Sequence, residues 1–183
     1  MCSSEFMKRK VGCSPRQHQP LSATRKLHVC SINAGGKFGK FDNFNIWTAL
    51  MRSEGVRPDV IFISEFDKQR NSTRSVYSRE YAISRFWSNG MWAMAWAVRR
   101  TLLPQLIYRK WRGRAGTLVF RGQHQCMMCV GMHVAHGELR HQTLSEGSWL
   151  IRQKSRPTPL AIMADWNTDL LPSTPTDPWF ADR

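Results

Sequence analysis

Four short apolar segments, each carrying a polar residue at or next to its end, constrain the fold of this chain more than any other feature. They are HVCSIN at 28–33, PDVIFISE at 58–65, GMHV at 131–134 and IMADWN at 162–167. Continuous apolar runs rich in β-branched residues are typical of strands buried on both faces. Polar residues at the ends of several such strands predict a functional site assembled along one edge of a sheet.

The length of the chain, 183 residues, allows one substantial hydrophobic core. The apolar content of 42% and the charged content of 22% are ordinary for a soluble globular protein. Eight Trp and nine Phe supply the bulk that such a core needs. We therefore expect a single domain.

The charge of the chain is strongly positive, with a formal net value of +14. Between Lys68 and Ala164 there are sixteen Lys or Arg residues and only three acidic residues, so most of the excess lies in the middle of the chain. A basic domain attracts polyanions, among which nucleic acid is the commonest partner. Anionic lipid headgroups, or a surface charged only for solubility, are the alternatives.

The first 26 residues are basic, with Glu5 as the only acid, and predict a disordered leader. A transit peptide is the alternative for this segment. No apolar run approaches the roughly 18 residues of a membrane span, and the five Cys form an odd number without a secretory signal. We expect a soluble intracellular protein with reduced thiols, and we favour the nucleus; the oligomeric state is left open.

Periodicity in the sequence predicts alternating strands and helices. Strands are predicted at 27–32, 59–64, 92–98, 116–120, 127–134 and 160–164, and helices from Asp42 or Asn43 to Met51 and at 141–154. The first strand, helix and second strand predict a parallel pair. Trp92, Met94, Trp96 and Val98 alternate with alanines, which favours a strand with its bulky face inward. Residues 70–88 are polar and turn-rich and predict no element.

The chemistry of the strand ends points to phosphate or metal binding. Asp165 and Asn167 are two residues apart, so a carboxylate and an amide can address one phosphate. Glu65 is the kind of oxygen ligand that Mg²⁺ uses, and Asn33 can hydrogen-bond such a carboxylate. His133 can donate to a phosphate oxygen that becomes more negative as the bond breaks. Each residue alone is more typical of a turn, a cap or a buried histidine, so the hypothesis depends on the set and its order.

The set in its order resembles the endonuclease/exonuclease/phosphatase superfamily. This superfamily includes abasic-site endonucleases, pancreatic-type deoxyribonucleases, retrotransposon endonucleases, neutral sphingomyelinases and inositol-phosphate phosphatases. The first strand ends in Asn33, the run from Pro58 to Glu65 matches the second motif with Ser64 where Gln is usual, and Ala164-Asp165-Trp166-Asn167 matches a Gly-Asp-Phe-Asn box. The resemblance covers residues 27–171.

This resemblance implies a fold and a set of roles. The fold is an α/β four-layer α/β/β/α sandwich of two packed mixed sheets, here partial and lacking the last strands. Glu65 would hold Mg²⁺ (or Mn²⁺), with Asn33 beside it. Asp165 and Asn167 would position the nucleophile or protonate the leaving oxygen. His133 matches the strand-end His of the deoxyribonuclease and sphingomyelinase branches.

One departure from the superfamily is large. Its members continue to a closing Ser-Asp-His motif, whereas only sixteen residues follow Asn167 here and none is His. We therefore expect an incomplete domain at 27–171, an unstructured tail at 172–183, and little or no Mg²⁺-dependent cleavage by the chain as given. A truncated gene model and a degenerate copy are both open explanations.

The densest basic cluster is a candidate nucleic-acid contact. It consists of Arg109, Lys110, Arg112 and Arg114, and it contains Trp111, whose ring could stack on a base. A solvated loop rim is the alternative.

The leading hypothesis for function is a Mg²⁺-dependent phosphodiesterase of nuclease type, with DNA favoured over RNA. A non-catalytic relic of a mobile-element endonuclease that binds nucleic acid weakly, and a lipid or inositol-phosphate phosphodiesterase or phosphatase, are the alternatives.

A zinc site is excluded by geometry. Cys126 and Cys129, with His133 and His136 downstream, imitate a zinc-ligand spacing. In a strand, however, positions 126 and 129 point to opposite faces, so the two thiols cannot share a metal.

Overall fold

The computed structural model describes residues 26–38, 43–66, 77–88, 93–134, 139–153 and 159–166. The strands are β1 Val29–Asn33, β2 Val60–Ser64, β3 Tyr81–Ser88, β4 Ala93–Arg99, β5 Leu106–Arg112, β6 Ala115–Arg121, β7 Cys126–His133 and β8 Leu160–Asp165. The helices are α1 Asn43–Ser53 and α2 Leu139–Arg152, and a short 3-10 helix spans Arg100–Gln105. Three of the sequence predictions lie outside the described residues: the leader, except for its last residue, the tail at 172–183, and Asn167.

The strands form two four-stranded sheets with the orders β1-β2-β4-β3 and β5-β6-β7-β8. Each sheet contains one parallel pair, β1 with β2 and β7 with β8, and its other neighbours are antiparallel. Parallel strands need a long crossover connection, and α1 and α2 occupy the two crossovers. Both sheets are therefore mixed.

Three apolar clusters separate four layers. Between the sheets, Phe62 and Trp96 pack with Leu118 and Cys129. On the outer face of the first sheet, Phe44 of α1 packs in a cluster with Ile61 and Ile63 of β2. On the outer face of the second sheet, a cluster of the same kind forms around Leu150 of α2. The α/β fold class expected from the sequence, two packed mixed sheets with helices outside, is confirmed.

The alternation predicted for β4 is present. Met94, Trp96 and Val98 face the space between the sheets, whereas Ala95 and Ala97 lie under α1. Small side chains on that outer face let the helix approach the sheet closely, which is why the strand alternates in size although both faces are buried.

Helix α1 begins at Asn43, within the predicted start, and ends at Ser53, two residues beyond Met51, the last apolar position of the predicted pattern. At its end the Val56 N–H donates to the Met51 carbonyl at 2.9 Å and the Gly55 N–H donates to the Arg52 carbonyl at 3.0 Å. Gly55 has a φ of 77°, as in a Schellman motif. Leu50 lies at helical spacing from Phe44 and Trp47, but its side chain is 61% exposed, so it does not belong to the buried face of the helix.

Two strands were not predicted. β3 lies in the segment expected to be turn-rich, and β5 carries the basic cluster. Both are edge strands of their sheets. An edge strand exposes part of its surface, so its polar residues break the apolar run by which a buried strand is identified.

The two sheets approach closely where the ring of Phe62, on β2, packs against Gly131, on β7. A Cβ atom at position 131 would overlap this ring. The contact lies close to the ends of both strands, where the polar residues described next are found.

Candidate active site

The carboxyl ends of four strands meet at one end of the sandwich. Asn33 and Ser64 end β1 and β2 and are register partners in the first sheet. His133 and Asp165 end β7 and β8 and are register partners in the second sheet. Both pairs are parallel, so each pair ends on the same side, and β1 contacts β8 across the two sheets.

The carboxylate of Asp165 is the centre of this cluster. Its Oδ2 accepts hydrogen bonds from Asn33 Nδ2 and from Ser64 Oγ, both at 2.8 Å. His133 Nε2 lies 3.7 Å from the same oxygen, beyond a direct hydrogen bond. The Asp165 side chain is only 16% exposed. Donors from the first sheet therefore hold a carboxylate of the second sheet in a largely enclosed position.

The loops after β1 and β2 are fastened to each other. The Asn33 Oδ1 accepts from the Gly35 N–H at 2.9 Å, which fixes the orientation of the amide that donates to Asp165. The Ala34 N–H donates to the Ser64 carbonyl at 3.0 Å, and the Gly36 N–H donates to the Glu65 carbonyl at 2.7 Å.

Glu65 has an unusual backbone conformation. Its φ of 47° makes it the only non-glycine residue with a positive φ among the described residues. For a residue with a Cβ atom the left-handed region costs about 1–2 kcal/mol. Such strain is concentrated at functional sites, where the surrounding structure maintains it.

Glu65, His133 and Asp165 form a candidate metal centre. Each offers one ligand atom, and these three atoms lie within 4.8 Å of one another. Within the described ranges this is the one group of His, Cys, Asp and Glu residues close enough to hold an ion. Carboxylate oxygens are the ligands that Mg²⁺ prefers, and Mn²⁺ accepts oxygen ligands and an imidazole. The donor set therefore fits either cation.

The structure brings together four of the five residues predicted at the strand ends: Asn33, Glu65, His133 and Asp165. The fifth, Asn167, lies outside the described residues. Asn33, expected beside the metal, directs its amide nitrogen at Asp165 in this arrangement. Ser64 was not predicted as a member of the site, because only folding shows that its hydroxyl meets a carboxylate 101 residues later.

The predicted basic cluster is divided between the two faces of β5. Lys110 Nζ lies 4.3 Å and Arg112 Cζ 4.7 Å from the centroid of the Trp149 ring on α2. Arg109 and Trp111 line an opening between the sheets beside Trp96. Lys110 is also among the residues that border this opening, and a nucleic-acid contact by the cluster stays a prediction.

Arg114 lies in the turn after β5, at the same end of the sandwich as the metal candidate. Its carbonyl accepts from the His133 N–H at 3.2 Å. Its own N–H donates to the Glu146 carboxylate at 3.0 Å. The backbone of this turn is thus hydrogen-bonded directly to that of a residue in the site.

The thiols of β7 have no metal centre within the part of the chain that the structure describes. Cys129 is buried between the sheets, and this burial raises the pKa of its thiol to about 12.

Comparisons with known proteins identify the fold. No family model and no curated protein matches the sequence. A solved endonuclease/exonuclease/phosphatase family protein from Leptotrichia buccalis matches with a TM-score of 0.52 at 10% identity, over 79% of this chain and 67% of that one. The chain has the fold of the endonuclease/exonuclease/phosphatase superfamily.

Two structures of TDP2 from D. rerio are also similar. One, humanized by 14 mutations, matches with a TM-score of 0.48 at 14% identity, over 78% of this chain. The other, complexed with a single-strand DNA product, matches with a TM-score of 0.49 at 14% identity, also over 78% of this chain. This chain spans 63% and 61% of their respective lengths.

Among the residues that the structure describes, neither α-helix is long and apolar enough to cross a bilayer.

Proposed function

We propose that this protein hydrolyses phosphodiester bonds of nucleic acid with the help of a divalent cation, Mg²⁺ or Mn²⁺. The observation that carries the proposal is the convergence of Glu65, His133 and Asp165 within 4.8 Å at the ends of three strands. Two carboxylates in an enclosed site repel each other unless a cation or a proton lies between them. A phosphate group is itself negative, so it could enter this site only if a cation or a proton compensated the charge of the two carboxylates.

Each residue then has a distinct role. Glu65 and Asp165 supply the oxygen ligands for the cation. When bound, the cation neutralises charge on the phosphate oxygens and favours ionisation of a water molecule. His133, the third member of the candidate metal centre, is assigned to the phosphate and not to the cation. It donates a hydrogen bond to a phosphate oxygen as the charge on that oxygen increases, a contribution that typically affects the rate by about 10²–10³. We assign Asn167, two residues after Asp165, to orienting the nucleophile.

The choice of nucleic acid as substrate is supported by charge. The net charge of +14 favours a polyanion over a small phosphate ester. Trp111 on β5 is 45% exposed and Arg109 is its neighbour on the same face of the strand, so a base could stack where a phosphate is bound. DNA is favoured over RNA, and the test below includes both.

Cleavage under single-turnover conditions tests the activity, since slow hydrolysis remains measurable when protein exceeds substrate. An end-labelled DNA or RNA strand is incubated with the chain in Mg²⁺, in Mn²⁺ or in EDTA. We expect slow cleavage that requires the cation and is lost in Glu65→Gln. The control variant Glu54→Gln, which changes an exposed residue beyond α1, should cleave at the rate of the unaltered chain. Equal cleavage by both variants would contradict the proposal, and salt-sensitive binding without cleavage would favour a non-catalytic binding protein.

The nucleic-acid contact is tested separately through salt dependence. Each phosphate contact contributes about 0.9 to the slope of log affinity against log salt. Arg109→Ala should therefore reduce the slope by about 1, and Trp111→Ala should weaken affinity with little change in slope. Arg57→Ala, which removes an exposed charge before β2, is the matched control. An Arg109→Ala slope equal to that of the control would reject β5 as a contact surface.

A further inference from the structure

We propose that Ser64 is a positioning residue that orients the carboxylate of Asp165 for cation binding. The inference concerns the same site as the proposed function and depends on it. Ser64 is the last residue of β2, directly before Glu65, and it is fully buried. Its role follows from where its single hydroxyl proton goes.

Two acceptors lie near the Ser64 hydroxyl. Asp165 Oδ2 lies at 2.8 Å and the carbonyl oxygen of Ile32 at 3.5 Å. The first distance is that of a good O–H···O hydrogen bond, and the second is at the limit of one. A bond to a carboxylate is also stronger than one to a neutral carbonyl. The proton is therefore donated to Asp165.

Ser64 shares this task with Asn33. The two residues are register partners, and both donate to Oδ2 of Asp165 at 2.8 Å. Two donors on one oxygen restrain the rotation of the carboxylate about its χ2 angle more strongly than a single donor would. Because β2 is buried along its whole length, the Ser64 donor has a rigid support.

The fixed carboxylate faces the other two members of the metal candidate. Oδ2 is also the oxygen that lies 3.7 Å from His133 Nε2. A rotated carboxylate would change its distances to Glu65 and His133 together. Residues that orient metal ligands in this way typically contribute about 10–100-fold to metal affinity or activity.

The experiment compares Ser64→Ala, Ser64→Cys and Ser64→Thr in the full chain. Mn²⁺ affinity is measured by calorimetry, and the cleavage of a DNA strand is followed under single-turnover conditions. Ser64→Ala removes one oxygen atom, and its far-UV circular dichroism and urea midpoint establish that it folds. We expect a loss of about 10–100-fold in Mn²⁺ affinity or in the maximal cleavage rate, with the protein concentration for half-maximal rate on DNA unchanged.

The other two variants separate the hydroxyl from the shape of the side chain. Ser64→Thr keeps the hydroxyl and should retain most of the affinity and rate. If its extra methyl group prevents folding at this buried position, Ser64→Cys, a weaker donor of similar size, should give an intermediate loss. A pattern in which Ala and Cys both match the unaltered chain would overturn the positioning role.

Glu65→Gln distinguishes this failure from failure of the proposed function. If Glu65→Gln abolishes Mn²⁺ binding and cleavage but Ser64→Ala leaves both intact, only the role of Ser64 is wrong. If neither variant changes binding or cleavage, the metal site itself is wrong and the role of Ser64 is rejected with it.

Discussion

Asn33 donates a hydrogen bond from Nδ2 to Oδ2 of Asp165 at 2.8 Å, although 132 positions separate the two residues in the sequence. The contact joins β1 of the first sheet to β8 of the second. The amide orientation is fixed by the Gly35 N–H. The hydrogen bond therefore links two elements that belong to different sheets at the point where the candidate metal centre lies.

The first prediction reverses the chemistry of this contact. Asn33→Asp places a carboxylate where the amide donated to Asp165, so two negative groups face each other. We expect the free energy of unfolding in EDTA to fall by about 1–2 kcal/mol, the cost of a lost hydrogen bond and an unsatisfied partner. Mn²⁺ should restore it, because a cation compensates the two charges.

Asn33→Ala is the control for that experiment. It also loses the hydrogen bond, but it adds no carboxylate that a cation could compensate. Urea unfolding with and without Mn²⁺ checks both variants. The interpretation fails if Mn²⁺ stabilises Asn33→Ala as much as Asn33→Asp.

A second prediction concerns the strained backbone of Glu65, with its φ of 47°. Asn adopts the left-handed region more readily than Glu does. Glu65→Asn should therefore be more stable than Glu65→Gln by about 0.5–1 kcal/mol, while both lose Mn²⁺ affinity. Comparing two neutral side chains removes the effect of the lost charge, and equal urea midpoints would show that the backbone at this position stores no strain.

How much of this site the sequence predicts differs from residue to residue. Asn33, Glu65, His133 and Asp165 could be predicted because each ends, or directly follows, an apolar run that forms a strand. Of these strands only β2 is buried along its whole length, whereas β1 and β8 contain exposed residues. Ser64 could not be predicted, since its partner is on the other sheet. A contact between sheets depends on how they pack, and no local pattern in the sequence records it.

The strands differ in the same way. β2 and β4 were predictable from an apolar run and an alternation of large and small residues. β3 and β5 were not, because their sequences mix polar with apolar residues, whereas β1 and β8, the other two edge strands, have apolar runs. β5 contains the exposed Arg109 and the half-buried Lys110, whose charges in sequence are typical of a loop.

A third prediction tests the close approach of the sheets at Gly131. A methyl group at this position would overlap the ring of Phe62, and overpacking of this kind typically costs about 1–3 kcal/mol. Gly131→Ala should lower the free energy of unfolding by that amount in urea denaturation. Phe62→Leu should lower the free energy of unfolding less in the Gly131→Ala variant than in the unaltered chain, because the smaller side chain relieves the overlap. If the losses of the two substitutions simply add in the double variant, this packing is contradicted.

A fourth prediction uses the thiols of Cys30, which is half-buried, and of Cys129, which is buried. Burial raises the pKa of Cys30 to about 11 and that of Cys129 to about 12, from a usual value of 9.0. The thiolate is the reactive form, and for Cys30 it is about a thousandth of the population at pH 8. Alkylation followed by peptide mass spectrometry should find Cys129, the buried thiol, labelled long after the half-buried Cys126.

The same pKa values determine how stability depends on pH. Because each folded-state pKa lies above the unfolded one, the contribution to stability is complete below pH 9 and is lost as the pH rises toward about 11. Cys30→Ala and Cys129→Ala should each flatten this alkaline decline in urea unfolding. Labelling of Cys129 at neutral pH as fast as Cys126 would show that the space between the sheets is open.

The central claim, a divalent cation held by Glu65 and Asp165, is tested most directly by calorimetric titration of Mn²⁺ into the 183-residue chain. Glu65→Gln and Asp165→Asn remove one carboxylate each, and Glu54→Gln removes an exposed carboxylate away from the site. We predict one bound equivalent for the unaltered chain and for Glu54→Gln, and none at the same concentrations for Glu65→Gln or Asp165→Asn. The same stoichiometry and affinity in all four proteins would contradict the account.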